Sequence, residues 1–302
     1  MSRLAAVALV LCLSSHVLAE PGTVDLVQGN QQVLVNVDGQ PFTTFHYDKK
    51  QPKPYFSPVL LGDAMVTRPL ESTGSTDHPH HKGIWLSIDE VNEVKFWAEK
   101  GKIENVSVEL VPTKAAGAAT LKVTNHWLAA DGKPLLIEKT DIKIWPSRTI
   151  VYDVKLTAAD QKVTFHDTKE GLFGIRLSDP LREKMGGTVV NAEGKKTTKE
   201  CWGQESAWVD YWGKLGEKTV GVAIFDHPKN FRKSRYHVRD YGLFTISPFG
   251  QSAYTNGKEE AQPLTLEPGK SLELRYGLYV HEGDTKAGKV AEAYEAFVKN
   301  EP

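Results

Sequence analysis

The chain has little cysteine and almost no net charge. Cysteine occurs only at Cys12 and Cys201, so at most one intramolecular disulfide could form. Lysine and arginine number 37 against 38 aspartates and glutamates. This balance offers no basic excess to attract nucleic acid or an anionic membrane surface, and we expect neither partner.

The first 19 residues have the order of a secretory signal peptide. Arg3 supplies a positive charge, residues 4–13 are almost all apolar, and residues 17–19 (VLA) suit a signal peptidase. The apolar run is about ten residues, well short of the ~20 that span a bilayer. A leucine precedes Cys12 where a lipoprotein would have a small residue. We therefore expect a signal peptide at 1–19, export to the periplasm or cell exterior, and no membrane span afterwards.

The expected mature chain, residues 20–302, is interpreted as one domain, because no repeat or linker divides it. Loss of Arg3 leaves 36 basic against 38 acidic residues. Only Cys201 remains, so an intramolecular disulfide is excluded. Beside Trp202, this cysteine is interpreted as a buried apolar residue. The fold must then be held by its hydrophobic core.

Apolar residues alternate with polar ones along most of the chain, which predicts antiparallel strands with one buried face. Asp38-Gly39 and Asp131-Gly132 lie between such runs and predict tight hairpins. Further alternating runs occupy residues 150–156, 163–165, 220–224 and 272–280. We therefore predict an all-β fold, a large antiparallel β-sandwich.

One helix is predicted, near the C-terminus at residues 287–298, with Asp284 as its N-cap. Its predicted packing face consists of Ala287, Val290, Ala291, Tyr294, Phe297 and Val298. Residues 49–58 contain three prolines and are interpreted as a surface loop.

The segment DHPHHKGIW at residues 77–85 places three histidines in four positions. Pro79 favours an extended His78, which would point His78 and His80 one way and His81 the other. Three chemistries could use this pattern. His78 and His80 could chelate a metal with a carboxylate, one histidine could act as a general acid, or the cluster could hydrogen-bond a sugar that stacks on Trp85 or Trp97.

Several blocks give the chain a specific resemblance to a known family. They are RP at 68–69, the histidine segment at 77–85, VNEVKFW at 91–97, EGLFGIR at 170–176, AWVDY at 207–211, DHPKN at 226–230 and RDYG at 239–242. The sequence resembles the bacterial PmoA-like family DUF6807 over nearly all of the expected mature chain. Lys82 departs from the arginine that is commoner in this family, which keeps the charge but loses bidentate geometry.

The resemblance implies a galactose-mutarotase-like supersandwich and a carbohydrate ligand. The name methane oxygenase PmoA belongs to a membrane subunit with several spanning helices, which this sequence lacks, so we reject methane oxidation. In sugar-processing supersandwiches a histidine acid and a carboxylate base face a concave sheet beside arginines and aromatics. By that likeness the catalytic candidates are His78, His80, His81 and Glu170. The substrate-binding candidates are Arg68, Asp77, Trp85, Arg176, Trp208, Tyr211, His227 and Arg239.

Two other classes stay open at this point. One is a non-catalytic carbohydrate-binding protein, in which the histidines only form hydrogen bonds. The other is a metal-dependent oxygenase or lyase that uses His78, His80 and a carboxylate. We expect a small-molecule or oligosaccharide ligand and no cofactor, with a divalent metal as the open alternative.

Overall fold

The computed structural model describes residues 22–70, 77–111 and 117–300. The signal-peptide prediction for residues 1–19 lies outside this part of the chain. Within it the chain is built from antiparallel strands, which confirms the predicted all-β class. The strands are β1 (Val24–Gln28), β2 (Gln32–Val37), β3 (Gln40–His46), β4 (Tyr55–Leu61), β5 (Ala64–Met65), β6 (Ile84–Leu86), β7 (Lys102–Val111), β8 (Ala119–Leu128), β9 (Pro134–Ile144), β10 (Thr149–Ala158), β11 (Val163–Phe165), β12 (Phe173–Arg176), β13 (Thr188–Asn191), β14 (Trp208–Leu215), β15 (Lys218–Asp226), β16 (Arg235–Val238), β17 (Leu243–Ser247), β18 (Leu264–Leu266) and β19 (Ser271–Glu282).

The strands of this part of the chain form two large sheets and one small one. The first sheet has the order β1-β2-β3-β4-β6-β12-β17-β16, with β5 paired to β4. The second sheet has the order β13-β14-β15-β19-β10-β9-β8-β7, and β11 pairs with β18. The main hydrophobic core draws residues from both large sheets, such as Phe56 and Phe173 of the first and Tyr211 and Tyr276 of the second. The molecule is therefore a sandwich whose two inner faces share one core.

Both predicted hairpins are confirmed. Asp38-Gly39 joins β2 to β3, and Asp131-Gly132 lies between β8 and β9. Gly39 and Gly132 have φ of 71° and 81°, a conformation that glycine adopts without steric cost. The runs at 150–156, 163–165, 220–224 and 272–280 fall in β10, β11, β15 and β19.

Three short helices, α1 (Thr197–Cys201), α2 (Gln251–Thr255) and α3 (Val290–Lys299), and two single 3-10 turns, Asp179–Leu181 and Glu183–Met185, complete the described elements. The C-terminal helix is confirmed, but it begins three residues later than predicted. Asp284 caps a preceding turn instead, because its carboxylate accepts from the N–H of Lys286 and Ala287 at 3.0 and 2.8 Å. Ala287 and Ala291 are exposed, so their assignment to the packing face is wrong.

The surface-loop prediction for residues 49–58 is wrong at its C-terminal end. Strand β4 begins at Tyr55, and Lys53 is only 1% exposed. Pro52 and Pro54 precede β4, whereas Pro58 lies within the strand. Cys201 is buried and free, as predicted, and burial raises the pKa of its thiol to about 12.

Candidate functional site

The outer face of the first sheet carries a second, smaller apolar cluster. On β6 the side chains of Ile84 and Leu86 join the main core, whereas Trp85 between them faces outward. In the strand register Trp85 lies opposite Tyr55 of β4 and Gly174 of β12. The other members of this outer cluster are Trp97, Tyr241 and Leu243.

The histidine segment forms a tight turn beside this cluster. The N–H of His81 donates to the carbonyl of His78 at 3.1 Å, and His78 has a left-handed φ of 48°. The predicted extended conformation is therefore wrong. The chain leaves the turn at Gly83, where φ is 54° and a Cβ would lie 1.8 Å from the backbone oxygen of Phe56. Only glycine fits this close approach of two backbones.

Two cationic side chains hold the carbonyls of the turn. Arg68 donates to the carbonyls of residues 77, 78 and 81, at 2.8, 2.9 and 3.3 Å. Lys53 donates to the carbonyl of His80 at 2.8 Å. These charge-assisted hydrogen bonds explain why the turn overrides the extended preference of a residue before proline.

Lys53 is itself held by Glu99, at 2.6 Å. Burial lowers the pKa of Lys53 to about 8, and the charge of Glu99 opposes the shift. Lys82 reaches the same carboxylate at 3.3 Å. The Glu99 carboxylate therefore forms ion pairs with two lysines, one on each side of the turn.

Aromatic rings are stacked from the outer cluster towards solvent. The ring of His81 lies parallel to that of Trp85, with centroids 5.4 Å apart, and parallel to His78 at 4.7 Å. His78 also lies parallel to Tyr241 at 5.3 Å. The expectation that His78 and His81 point in opposite directions is wrong, because their rings stack. His80 meets His81 edge-on at 4.4 Å.

Asp77 connects the turn to a buried arginine. Its carboxylate accepts from Arg176 at 2.6 Å and contacts Nδ1 of His78 through its other oxygen. Burial raises the pKa of Asp77, but the hydrogen bonds from Arg176 and His78 outweigh it, so the pKa is lowered. Asp77 is therefore a carboxylate at neutral pH. Arg176, 1% exposed, also lies 3.1 Å from Nδ1 of His81.

Burial affects the protonation of two histidines of the turn, His80 and His81. Burial lowers the pKa of His80 to about 4, helped by the charge of Lys53. Burial also lowers the pKa of His81 far below its usual value, and the neighbouring His80 and Arg176 add to the shift. Both imidazoles are neutral at pH 7. The side chain of His78 is 41% exposed, and the Asp77 carboxylate contacts its ring.

Glu170 and Arg239 approach the exposed end of the ring stack. The carbonyl of Glu170 accepts from the N–H of Asp89 at 2.9 Å, beyond the paired ends of β6 and β12. Burial raises the pKa of Glu170, whereas Lys169, His78 and Arg239 are near enough for their charges to lower it. The guanidinium of Arg239 lies 5.8 Å from the centroid of Tyr241. The charged groups of Glu170, His78 and Arg239 thus lie near one another, although at least 69 residues of sequence separate any two of them.

Three predicted residues lie elsewhere. Trp208 and Tyr211 are on β14 of the second sheet, where Tyr211 is fully buried in the main core and Trp208 packs in the cluster under α3. His227 follows β15, and its ring meets Phe297 of α3 edge-on at 5.5 Å. The expectation that these three face the histidine turn is wrong. Aromatic residues in an alternating run have the same pattern whether they fill a core or line a ligand site.

Sequence reasoning missed Tyr241, Lys53 and Glu99 as parts of this cluster. Tyr241 belongs to the RDYG block at 239–242, which offered a signal. For Lys53 and Glu99 no local pattern distinguishes a buried ion pair from exposed charges. Their pairing arises only because residues 46 positions apart meet beside the turn.

In the described segments, no group of three or more His, Cys, Asp or Glu side chains is arranged to hold a metal ion. In the same part of the chain, no helix has the length and apolar character to cross a membrane.

Comparisons with solved structures show likenesses at low sequence identity. A GH36 α-galactosidase from Geobacillus stearothermophilus, solved with raffinose, has 7% identity and a TM-score of 0.46, with 88% of this chain and 42% of that chain covered. The chain thus spans less than half the length of that enzyme. A galactose 1-epimerase from Lactobacillus acidophilus has 9% identity and a TM-score of 0.41, with 87% and 99% covered. A proposed aldose 1-epimerase from Klebsiella pneumoniae has 8% identity and a TM-score of 0.42, with 92% and 88% covered.

No curated protein sequence matches the chain. The sequence does match a protein family, described as a family of unknown function (DUF6807), over residues 32–295. This match covers the second sheet, the first sheet apart from β1, the histidine turn and most of α3. The chain belongs to the DUF6807 family.

Proposed function

We propose that this protein binds a carbohydrate at the outer face of the first sheet and transfers protons to and from it. One observation carries the proposal. A partly exposed ring stack, an arginine and a carboxyl group of raised pKa meet on one surface, around His78. Carbohydrate sites commonly combine an aromatic platform for the sugar ring with a few polar groups that fix its hydroxyls.

Tyr241 supplies the platform, since its ring stacks on that of His78, whose other face is covered by His81. Arg239 supplies the hydroxyl clamp. It is exposed, and among the described residues no acceptor or carboxylate pairs with its guanidinium. Its five N–H donors are therefore available to a ligand.

His78 and Glu170 are the proposed proton-transfer pair. The Asp77 carboxylate accepts from Nδ1 of His78 and so leaves Nε2 as the ring's proton acceptor. Burial raises the pKa of Glu170 above its ordinary value, which brings it closer to the range that suits a general acid. These roles are the reverse of those implied by the family resemblance. Neutral His80 and His81 position the turn and the stack.

Replacement of either member of the pair tests this function. The expected mature chain would be mixed with a panel of mono- and oligosaccharides, and proton NMR would record both binding and turnover. We expect His78→Ala and Glu170→Gln to lower turnover by roughly 10²–10⁴-fold. His126→Ala and Glu273→Gln, on the second sheet, are the matched controls and should behave like the wild type.

Three outcomes separate the candidate functions. Turnover lost only in the site variants supports proton transfer. Binding without turnover in the wild type would support the non-catalytic alternative. Site variants that bind and turn over sugars as the wild type does would refute the proposed site.

We also propose that the protein acts outside the cytoplasm, in the periplasm or beyond. The signal-like order of residues 1–19 supports this. Mass spectrometry of exported protein should find Glu20 as the first residue, and an intact 1–19 segment would contradict it.

A further inference from the structure

A groove beside the histidine turn has five lysines among its fifteen lining residues. Its volume is about 1030 Å³. Three segments form its walls, residues 49–52, 93–102 and 128–132. The charged residues in its lining are Lys49, Lys50, Lys95, Lys100, Lys102, Glu93 and Glu99.

Nearby carboxylates do not balance these lysines. Glu104 is shared by two of them, Lys102 at 2.7 Å and Lys49 at 3.3 Å, and Glu90 pairs with Lys95 at 2.8 Å. Lys50 and Lys100 form no ion pair with any carboxylate in the described part of the chain. The groove is therefore positive although the whole chain carries a net charge of −1.

The groove is joined to the histidine turn through Glu99. This residue lines the groove and binds Lys53, whose other hydrogen bond goes to the carbonyl of His80. Lys82 also joins the two regions, because it lies 3.3 Å from Glu99 and 3.4 Å from Gln51 of the groove wall. The groove and the histidine turn therefore meet at Glu99 and Lys82.

We propose that this groove binds an acidic polysaccharide, whose carboxylate or sulfate groups pair with its lysines. The inference rests on the proposed function and names the substrate class of that site. Lysines on several segments suit a ligand with repeated negative charges, because each ammonium group can move to meet one. Pro52, Val94 and Leu128 add apolar surface for the faces of sugar rings.

The lining also argues against nucleic acid. Its residues include neither an aromatic ring nor an arginine. Single-stranded nucleic acids are typically held by base stacking on aromatic side chains, and arginine is the usual planar partner of phosphate.

Charge reversal in the groove tests the proposal. Binding of heparin, polygalacturonate, neutral dextran and a single-stranded DNA would be measured by calorimetry at low and at high salt. We expect the two acidic polysaccharides to bind, and more weakly at high salt. Lys50→Glu combined with Lys100→Glu should weaken this binding by about tenfold or more. The control is Lys258→Glu combined with Lys270→Glu, which makes the same charge change at exposed sites outside the groove. This control variant should bind the acidic polysaccharides as the wild type does.

The remaining outcomes overturn the proposal or separate it from the proposed function. The proposal would be overturned if neither acidic polysaccharide binds. It would also be overturned if the control variant loses as much affinity as the groove variant, or if the DNA binds as tightly as the acidic polysaccharides. If only neutral sugars bind, and through His78, the groove proposal falls and the proposed function stands. A further outcome is that acidic polysaccharides bind through Lys50 and Lys100 while no ligand needs His78 or Glu170 for binding or turnover. That result supports the groove proposal and contradicts the proposed function.

Discussion

Asp77 makes His78 different from its two neighbours in the turn. The carboxylate contacts Nδ1 of His78, while Arg176 holds the carboxylate from the other side. A histidine whose one nitrogen is bound in this way has a defined tautomer and orientation. His81 has its Nδ1 against Arg176 and is 2% exposed, so it has no comparable access to a ligand.

Replacement of Asp77 by asparagine should therefore disturb His78 without removing it. We expect turnover in Asp77→Asn to fall by roughly 10²-fold or more, because the amide no longer selects the same tautomer. Nitrogen NMR of the His78 ring would report the tautomer directly. A ring that keeps its tautomer, with full turnover, would contradict the role given to Asp77.

The buried carboxyl group of Glu170 should destabilise the fold at neutral pH. Its folded pKa is raised by burial, so its contribution to stability is present at low pH and is lost as pH rises through that pKa. Glu170→Gln should therefore unfold at a higher urea concentration than the wild type at about pH 8, with little difference at about pH 4.

The control for this comparison is Glu273→Gln, which changes a carboxylate with 72% side-chain exposure on the second sheet. We expect it to leave the pH dependence of unfolding unchanged. A Glu170→Gln variant that is less stable than the wild type at about pH 8 would show that the carboxylate is needed for folding.

At the scale of elements, helix α3 closes the outer face of the second sheet. Phe297 is fully buried and lies 5.5 Å from Phe225 of β15. Phe297→Ala should lower the free energy of unfolding by about 3–5 kcal/mol, because it leaves a cavity. Urea unfolding would measure this.

A substitution on the exposed face of the same helix is the control for Phe297→Ala. Ala291→Gly, on its exposed face, should cost only about 1 kcal/mol. A loss in Phe297→Ala that is no larger than this would mean that α3 contributes little packing energy.

The strands could be predicted because each one is a local pattern. In β19 alternate residues from Leu272 to Val280 are buried, and this periodicity is visible without any partner strand. The hairpin at Asp38-Gly39 is equally local, since two residues determine the turn. The start of α3 could not be predicted as well, because Asp284 suits the N-terminus of a turn and of a helix alike.

The candidate site was predictable only in part. The histidine segment and the family blocks at 170–176 and 239–242 indicated which residues matter, and their side chains do approach one another. The shape of the turn depends on Arg68, 9 residues before Asp77, and on Lys53, 27 residues before His80, which no local pattern connects with the turn. Tyr211 was misplaced because its strand has two buried faces, one under the first sheet and one under α3.

At the scale of the whole molecule, buried histidines should make the fold sensitive to acid. His237 is 3% exposed and burial lowers its pKa to about 3. A histidine of lowered folded pKa contributes stability that is present above the unfolded pKa of about 6.5 and lost as pH falls towards the folded value. His80, with a pKa of about 4, acts in the same direction.

Buried carboxylates oppose this effect. Burial raises the pKa of Asp226 to about 6, so its contribution is present at low pH and lost as pH rises through about 6. We therefore expect His237→Gln to reduce the loss of stability between about pH 6.5 and pH 4, as measured by urea unfolding. His126→Gln, on the second sheet, is the control. An equally steep loss in the His237 variant would contradict the assignment.

The central claim, that a carbohydrate binds against His78 on the first sheet, is tested most directly by NMR of the histidine rings. Neutral and acidic glycans would be added to the protein while the ring resonances of His78 and His227 are followed. The His227 ring, packed against α3 on the second sheet, is the internal reference. We predict that a binding glycan shifts the His78 resonances and leaves those of His227 in place. Shifts at His227 with none at His78 would contradict the account.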